Sequence, residues 1–152
     1  MTIDELTELL ERQRQLEVRI ANSLEETLNK TRNRVVRILI RSIMMDSLKH
    51  ADILEALKEI SKGYSLSEAD RYELGRGIEK HISEEKEMLD KISKLAEKAD
   101  DPHVKNMLLH IKGEEDRHHD LLNQLSTILG KAEVVSEEDW WDYFNRWSNF
   151  ST

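Results

Sequence analysis

Glu115 and His118 stand three residues apart between Ile111 and Leu122. A carboxylate and an imidazole at that spacing share one face of a helix and project two metal-ligating groups in one direction. Three comparable interruptions occur earlier in the chain. Glu17, with Gln13, breaks the apolar row Leu6, Leu10, Ile20, Leu24. Asp46 and His50 lie one turn apart between Ile43 and Ile53. His81, Glu84 and Glu85 fall between Ile78 and Leu89, and His119 sits at the edge of the last pair. Groups of this kind are costly to bury unpaired. Oxygen and nitrogen donors from several helices suit iron, manganese or zinc, whereas a chain without cysteine has no thiolate site, disulfide or cysteine nucleophile. The candidate ligands are Glu17, Asp46, His50, His81, Glu84, Glu85, Glu115, His118 and His119. The plainer reading of each pair is a buried hydrogen bond without metal.

The elements that must carry these residues are long helices. Thr2 with Glu5 forms a capping box, and Leu6, Leu9, Leu10, Leu16, Ile20, Leu24 and Leu28 follow at helical spacing. After a short turn near residues 30–33, a second stripe runs from Val35 to Ile60 and stops at Gly63. Ser65 or Ser67, ahead of Glu68 and Asp70, opens a third helix, which Gly75 and Gly77 weaken at its start. Asp101 and Pro102 open a fourth that ends at Gly130. Four helices of about 27 residues, each roughly 40 Å long, predict an all-α four-helix bundle over 1–130. Reflection about turn centres near residues 31, 64 and 101 brings Glu17 level with position 45, 45 with 83, and 83 with 119. All four polar breaks then share a layer about one helical turn thick.

With those residues in view, the chain resembles the ferritin-like superfamily, most closely its rubrerythrin-type members. The matching words are Asp46-Ser47-Leu48-Lys49-His50-Ala51 and Glu114-Glu115-Asp116-Arg117-His118-His119, and the resemblance covers about residues 5–130. Members of the superfamily hold two metal ions, usually iron, with one Glu from each of two helices and a Glu-x-x-His pair from each of the other two. Carried onto this chain, the resemblance implies Glu17, His50, Glu84 or Glu85, and Glu115 with His118 as ligands. Three residues before His50 stands Ser47 where the family has Glu, so Asp46 would have to replace it, and His81 has no counterpart. These departures leave a single ion as an alternative to two. The resemblance further implies an iron oxidoreductase acting on dioxygen or peroxide, with His81 or His119 as outer or exchanging ligands. The chain holds no Cys-x-x-Cys module, so electrons would come from a separate donor. The alternative of a different class is a non-catalytic helical interaction protein with a degenerate metal site. The linker 61–67 reaches at most about 25 Å, too short for the family's long crossover unless the segment through Gly77 unwinds. The first helix pairs with the second, and the third with the fourth, in either topology.

The remaining sequence bounds the partners. A net charge of −8 argues against nucleic acid, and the one basic run, Arg32, Arg34, Arg37 and Arg41, reads most simply as a solvated face. The acidic N-terminus and the lack of a long apolar run predict a soluble, cytoplasmic chain without membrane insertion. Of the three Trp, three Tyr and two Phe, all but Tyr64 and Tyr72 fall in the last stretch. Residues 131–152 are therefore a tail or short fifth helix, opened by Glu137-Glu138-Asp139, whose aromatics cover the bundle end, seal a homodimer or dock on another protein.

Overall fold

The computed structural model describes residues 1–60, 67–130 and 137–150. Five helices form, in the order α1 (Ile3–Leu28), α2 (Arg34–Ile60), α3 (Glu68–Lys98), α4 (Pro102–Leu129) and α5 (Glu137–Phe150), with no strand among the described residues. The chain divides into two compact units, Met1–Tyr64 and Ser65–Thr152. In the first α1 packs on α2, and in the second α3 packs on α4.

Local chemistry accounts for most of the boundaries. The Thr2 hydroxyl accepts from Glu5 N–H while the Glu5 carboxylate accepts from Thr2 N–H, closing the expected capping box. Ser67 caps α3 by accepting from Asp70 N–H, and Asp101 caps α4 by accepting from the N–H groups of His103 and Val104, with Pro102 just inside. The α2 start has a cap that sequence reading missed, since Asn33 Oδ1 accepts from Val35 and Val36 N–H. Arg37 then ties the turn down by donating to the carbonyls of Leu28 and Thr31. The expected stop at Gly63 and the alternative cap Ser65 lie outside the described residues.

Small side chains set how closely α1 and α2 approach. Ala21, Ser47 and Ala51 are all buried, and they form the close seam of the hairpin together with Leu28 and Ile60 at its ends. Ser47 occupies the place where the ferritin-like pattern would have Glu, and its position in this seam leaves little room for a longer side chain. Beyond the seam, four ionic groups fix the register. Lys58 Nζ lies 2.6 Å from Glu11 and 3.0 Å from Glu55, and Arg14 pairs with both carboxylates. Hydrogen bonds from Arg14, Lys58 and Gln15 hold the Glu11 carboxyl well below the usual carboxylate range, and the same network raises Lys58 and Arg14. An acid whose folded value is lowered contributes stability that is present above its ordinary pKa and is lost as pH falls through the lowered one. Lys58→Met is therefore expected to shift acid unfolding of the helices, followed by circular dichroism, to higher pH. An unchanged acid midpoint would show that the network fixes register without adding stability.

Ile92, Ala96 and Ile128 are the buried apolar residues of the second unit among the described residues. At the end of its hairpin away from the α3–α4 turn, where Ile128 also lies, a Cβ added at Gly75 or Gly77 would meet nothing within 4 Å. Glycine in mid-helix costs about 0.5–1 kcal/mol relative to alanine through backbone entropy. Gly75→Ala and Gly77→Ala are each expected to raise stability by about that amount in denaturant melts. A loss would show that α3 must be loose there.

Candidate metal centre

The second unit brings three ligating groups together. Glu85 projects from α3, and Glu115 and His118 project from one face of α4. One ligand atom of each lies within 4.8 Å of the others. The i, i+3 spacing places the last two side by side, with His118 Nδ1 3.5 Å from Glu115 Oε2. Glu85 faces them because reflection about the α3–α4 turn lands it between the levels of 115 and 118, as the sequence register predicts. Glu85 and Glu115 are half-buried, and the His118 ring is exposed. An open cleft of about 270 Å³ borders the group, lined by His81, Glu85, His118, Leu121 and Leu122. The periodicity of helix 4 predicts Leu122 in the core, and no sequence signal marks the cleft that it lines.

The electrostatics of this group are unfavourable when it stands alone. Glu85 Oε2 is buried with no hydrogen-bond partner. Its carboxyl is pushed up, first by the hydrogen bond that a shared proton would make to Glu115, then by burial and by the Glu115 charge; His118 and His81 oppose the shift. Two carboxylates this close cannot both ionise without cost unless a cation or a proton joins them. The donor set fits a metal ion, with two hard oxygens and one imidazole nitrogen. Bonds of about 2.0–2.2 Å place donors around one ion no more than about 4.4 Å apart, so small side-chain rotations suffice.

The other expected ligands are distributed as follows. In the first unit, Glu17 of α1 faces His50 of α2, with Oε1 3.6 Å from Nδ1. Reflection about residue 31 placed Glu17 opposite position 45, and the structure moves its partner about one and a half turns farther along α2. Side chains lean toward the N-terminus of their own helix. Those of α1 lean away from the turn and those of α2 toward it, which lets Glu17 reach an α2 partner farther from the turn than its level position. Asp46 turns to solvent and pairs with Lys49 at 2.9 Å. Exposed His81 and Glu84 pair on α3, with Nδ1 3.1 Å from Oε2. Glu85, and not Glu84, is thus the helix-3 carboxylate that joins the helix-4 pair. His119 lies outside the group. It is half-buried with Nδ1 lacking a partner, while its carbonyl accepts from Asn123 Nδ2.

No described helix is long and apolar enough to cross a membrane. Comparison of the chain with protein-family profiles, with curated proteins and with solved structures yields no match.

Proposed function

We propose that the chain is a ferritin-like metal protein of rubrerythrin type, in which Glu85, Glu115 and His118 hold an iron ion that reacts with dioxygen or peroxide. The observation that carries the reading is the convergence of two carboxylates and an imidazole from α3 and α4 around a buried, unpartnered Glu85 oxygen. Iron bound there would supply electron transfer to an oxygen substrate, which the carboxylates and imidazoles of this site do not perform unaided. Glu85 and Glu115 would neutralise the ion's charge, and His118 would complete three protein ligands while leaving positions free for substrate. The cleft beside His81 and Leu122 would give a small molecule access to these ligands. Glu17 and His50 form the pair best suited to a second ion, whereas Asp46 is exposed and paired with Lys49. Manganese or zinc fits the same donors. Reducing equivalents would arrive from a separate protein donor.

Elemental analysis of the purified chain, followed by anaerobic Fe²⁺ titration, tests this. One ion per chain is expected if Glu85, Glu115 and His118 act alone, and two if Glu17 and His50 also bind. In the second case Glu17→Ala removes one ion and leaves the other. A chain that carries no metal and takes up none from Fe²⁺, Mn²⁺ or Zn²⁺ would sink the proposal and leave a helical interaction protein as the better reading.

A further inference from the structure

The two hairpins repeat one sequence pattern at a fixed step. Glu17, Val36, Ile43, His50, Leu57 and Ile60 of the first are followed 68 residues later by Glu85, Val104, Ile111, His118, Leu125 and Ile128 of the second, each identical to its counterpart. Shared apolar stripes would be expected of any two amphipathic hairpins. The polar details repeat as well. Asn33 Oδ1 accepts from Val35 and Val36 N–H, and 68 residues on Asp101 Oδ1 accepts from His103 and Val104 N–H. Exposed Asp46 pairs with Lys49 at 2.9 Å, and at the same step exposed Glu114 pairs with Arg117 at 3.9 Å. Buried Leu28 and Ile60, at the ends of the first seam, fall on buried Ala96 and Ile128.

In this register Glu17 and His50 stand where Glu85 and His118 stand, and Ser47 stands where Glu115 stands. Asp46 matches the exposed Glu114, so it is not the missing carboxylate. The surroundings of Ser47 differ in the same sense. Buried Ala21 and Ala51 match the half-buried Leu89 and His119, so the first hairpin has small side chains at three places where the second has large ones. We infer that the first hairpin is a second copy of the metal-binding hairpin, in which Ser47 has replaced the second carboxylate and Ala21 and Ala51 close the space. Glu17 and His50, 3.6 Å apart, are the two ligands it keeps for the same kind of divalent cation. This rests on the ion proposed for Glu85, Glu115 and His118. Loss of one ligand weakens a site by about a hundredfold or more, so Fe²⁺ concentrations that fill the second hairpin leave the first empty.

Rebuilding the missing parts tests this. Ser47→Glu alone would force a carboxylate into a seam with no room for it. The triple variant Ala21→Leu/Ser47→Glu/Ala51→His instead carries the second hairpin's residues at all three places. It should keep the helix content of wild type by circular dichroism and take up two Fe²⁺ per chain anaerobically where wild type takes up one. Glu85→Gln removes the carboxylate that α3 supplies to the second hairpin's site. In that background half-saturation should need at least about a hundredfold more Fe²⁺ than in wild type, and adding the triple substitution should restore it to within about tenfold. His50→Ala should then abolish the gain. A folded triple variant that takes up only one ion would overturn the inference and leave the proposed site standing. A triple variant that does not fold would overturn it too, since equivalent seams must accept one another's residues. So would a wild type that fills both hairpins with similar affinity, because Ser47 would then have cost nothing. Wild type that takes up no metal is the separate result that removes the proposed site and the inference with it.

Discussion

His118→Ala and Glu115→Ala are each expected to lower Fe²⁺ affinity by about a hundredfold or more while leaving the helical signal intact. Loss of groups that merely orient a ligand costs 10–100-fold, so loss of a ligand sets at least the upper end of that range. The helices should survive because the packing residues of this hairpin, Ile92, Ala96 and Ile128, are elsewhere along it. The affinity change has a thermodynamic counterpart. An ion that binds only the folded chain at about 100 times its dissociation constant adds about 2.7 kcal/mol, and at this chain length that is a rise of several degrees in melting temperature. Wild type should show the rise with Fe²⁺ or Mn²⁺ and lose it to a chelator, and both variants should melt alike under the two conditions. Wild-type-like metal stabilisation in both variants would remove α4 from the site.

The helix boundaries were legible because their causes are local. Thr2 with Glu5, and Asp101 with Pro102, satisfy backbone donors within four residues of themselves, so sequence spacing alone reveals them. Helix pairing was legible for a related reason, since a turn of a few residues can only return the chain antiparallel. Within the candidate site, Glu115 and His118 share a face by spacing, and Glu85 meets them by the simple register of α3 on α4. What escaped depends on packing between helices. The offset that pairs Glu17 with His50 comes from side-chain lean and the close seam at Ala21, Ser47 and Ala51. The choice between Glu84 and Glu85, one residue apart, turns on about 100° of helix rotation, which the periodicity of a charge-rich stretch does not fix. Asp46 was drawn to the site by its spacing from His50, but the nearer Lys49 ammonium takes its carboxylate. The Glu11, Arg14, Glu55 and Lys58 network has members up to 47 residues apart, and nothing in the local pattern of any one of them signals the others.

Glu85→Gln is expected to raise the stability of the metal-free protein at neutral pH and to abolish metal binding. The motive is the buried Oε2 without a partner, beside a second carboxylate. A buried acceptor left unsatisfied costs about 1–3 kcal/mol, and an amide brings its own donor to offer Glu115. The pH dependence follows from the sign of the shift. Glu85 has its folded value raised, so the folded chain binds the proton more tightly than the unfolded chain. The stability it contributes is fully present below the ordinary carboxylate value of 4.5 and is lost as pH rises through the raised one. Metal-free wild type should therefore gain stability as pH is lowered from 7 toward 4.5, and Glu85→Gln should lack that component. The opposing loss from Glu11 begins only below 4.5, so the two windows are separate. With metal bound the slope reverses, because protons compete with the ion for carboxylates and imidazole. Melting temperatures across pH 4.5–7, for both proteins with chelator and for wild type with excess Mn²⁺, make the comparison. If wild type and Glu85→Gln run parallel over that range in chelator, Glu85 keeps an ordinary affinity for its proton and the strain that invites a cation is absent.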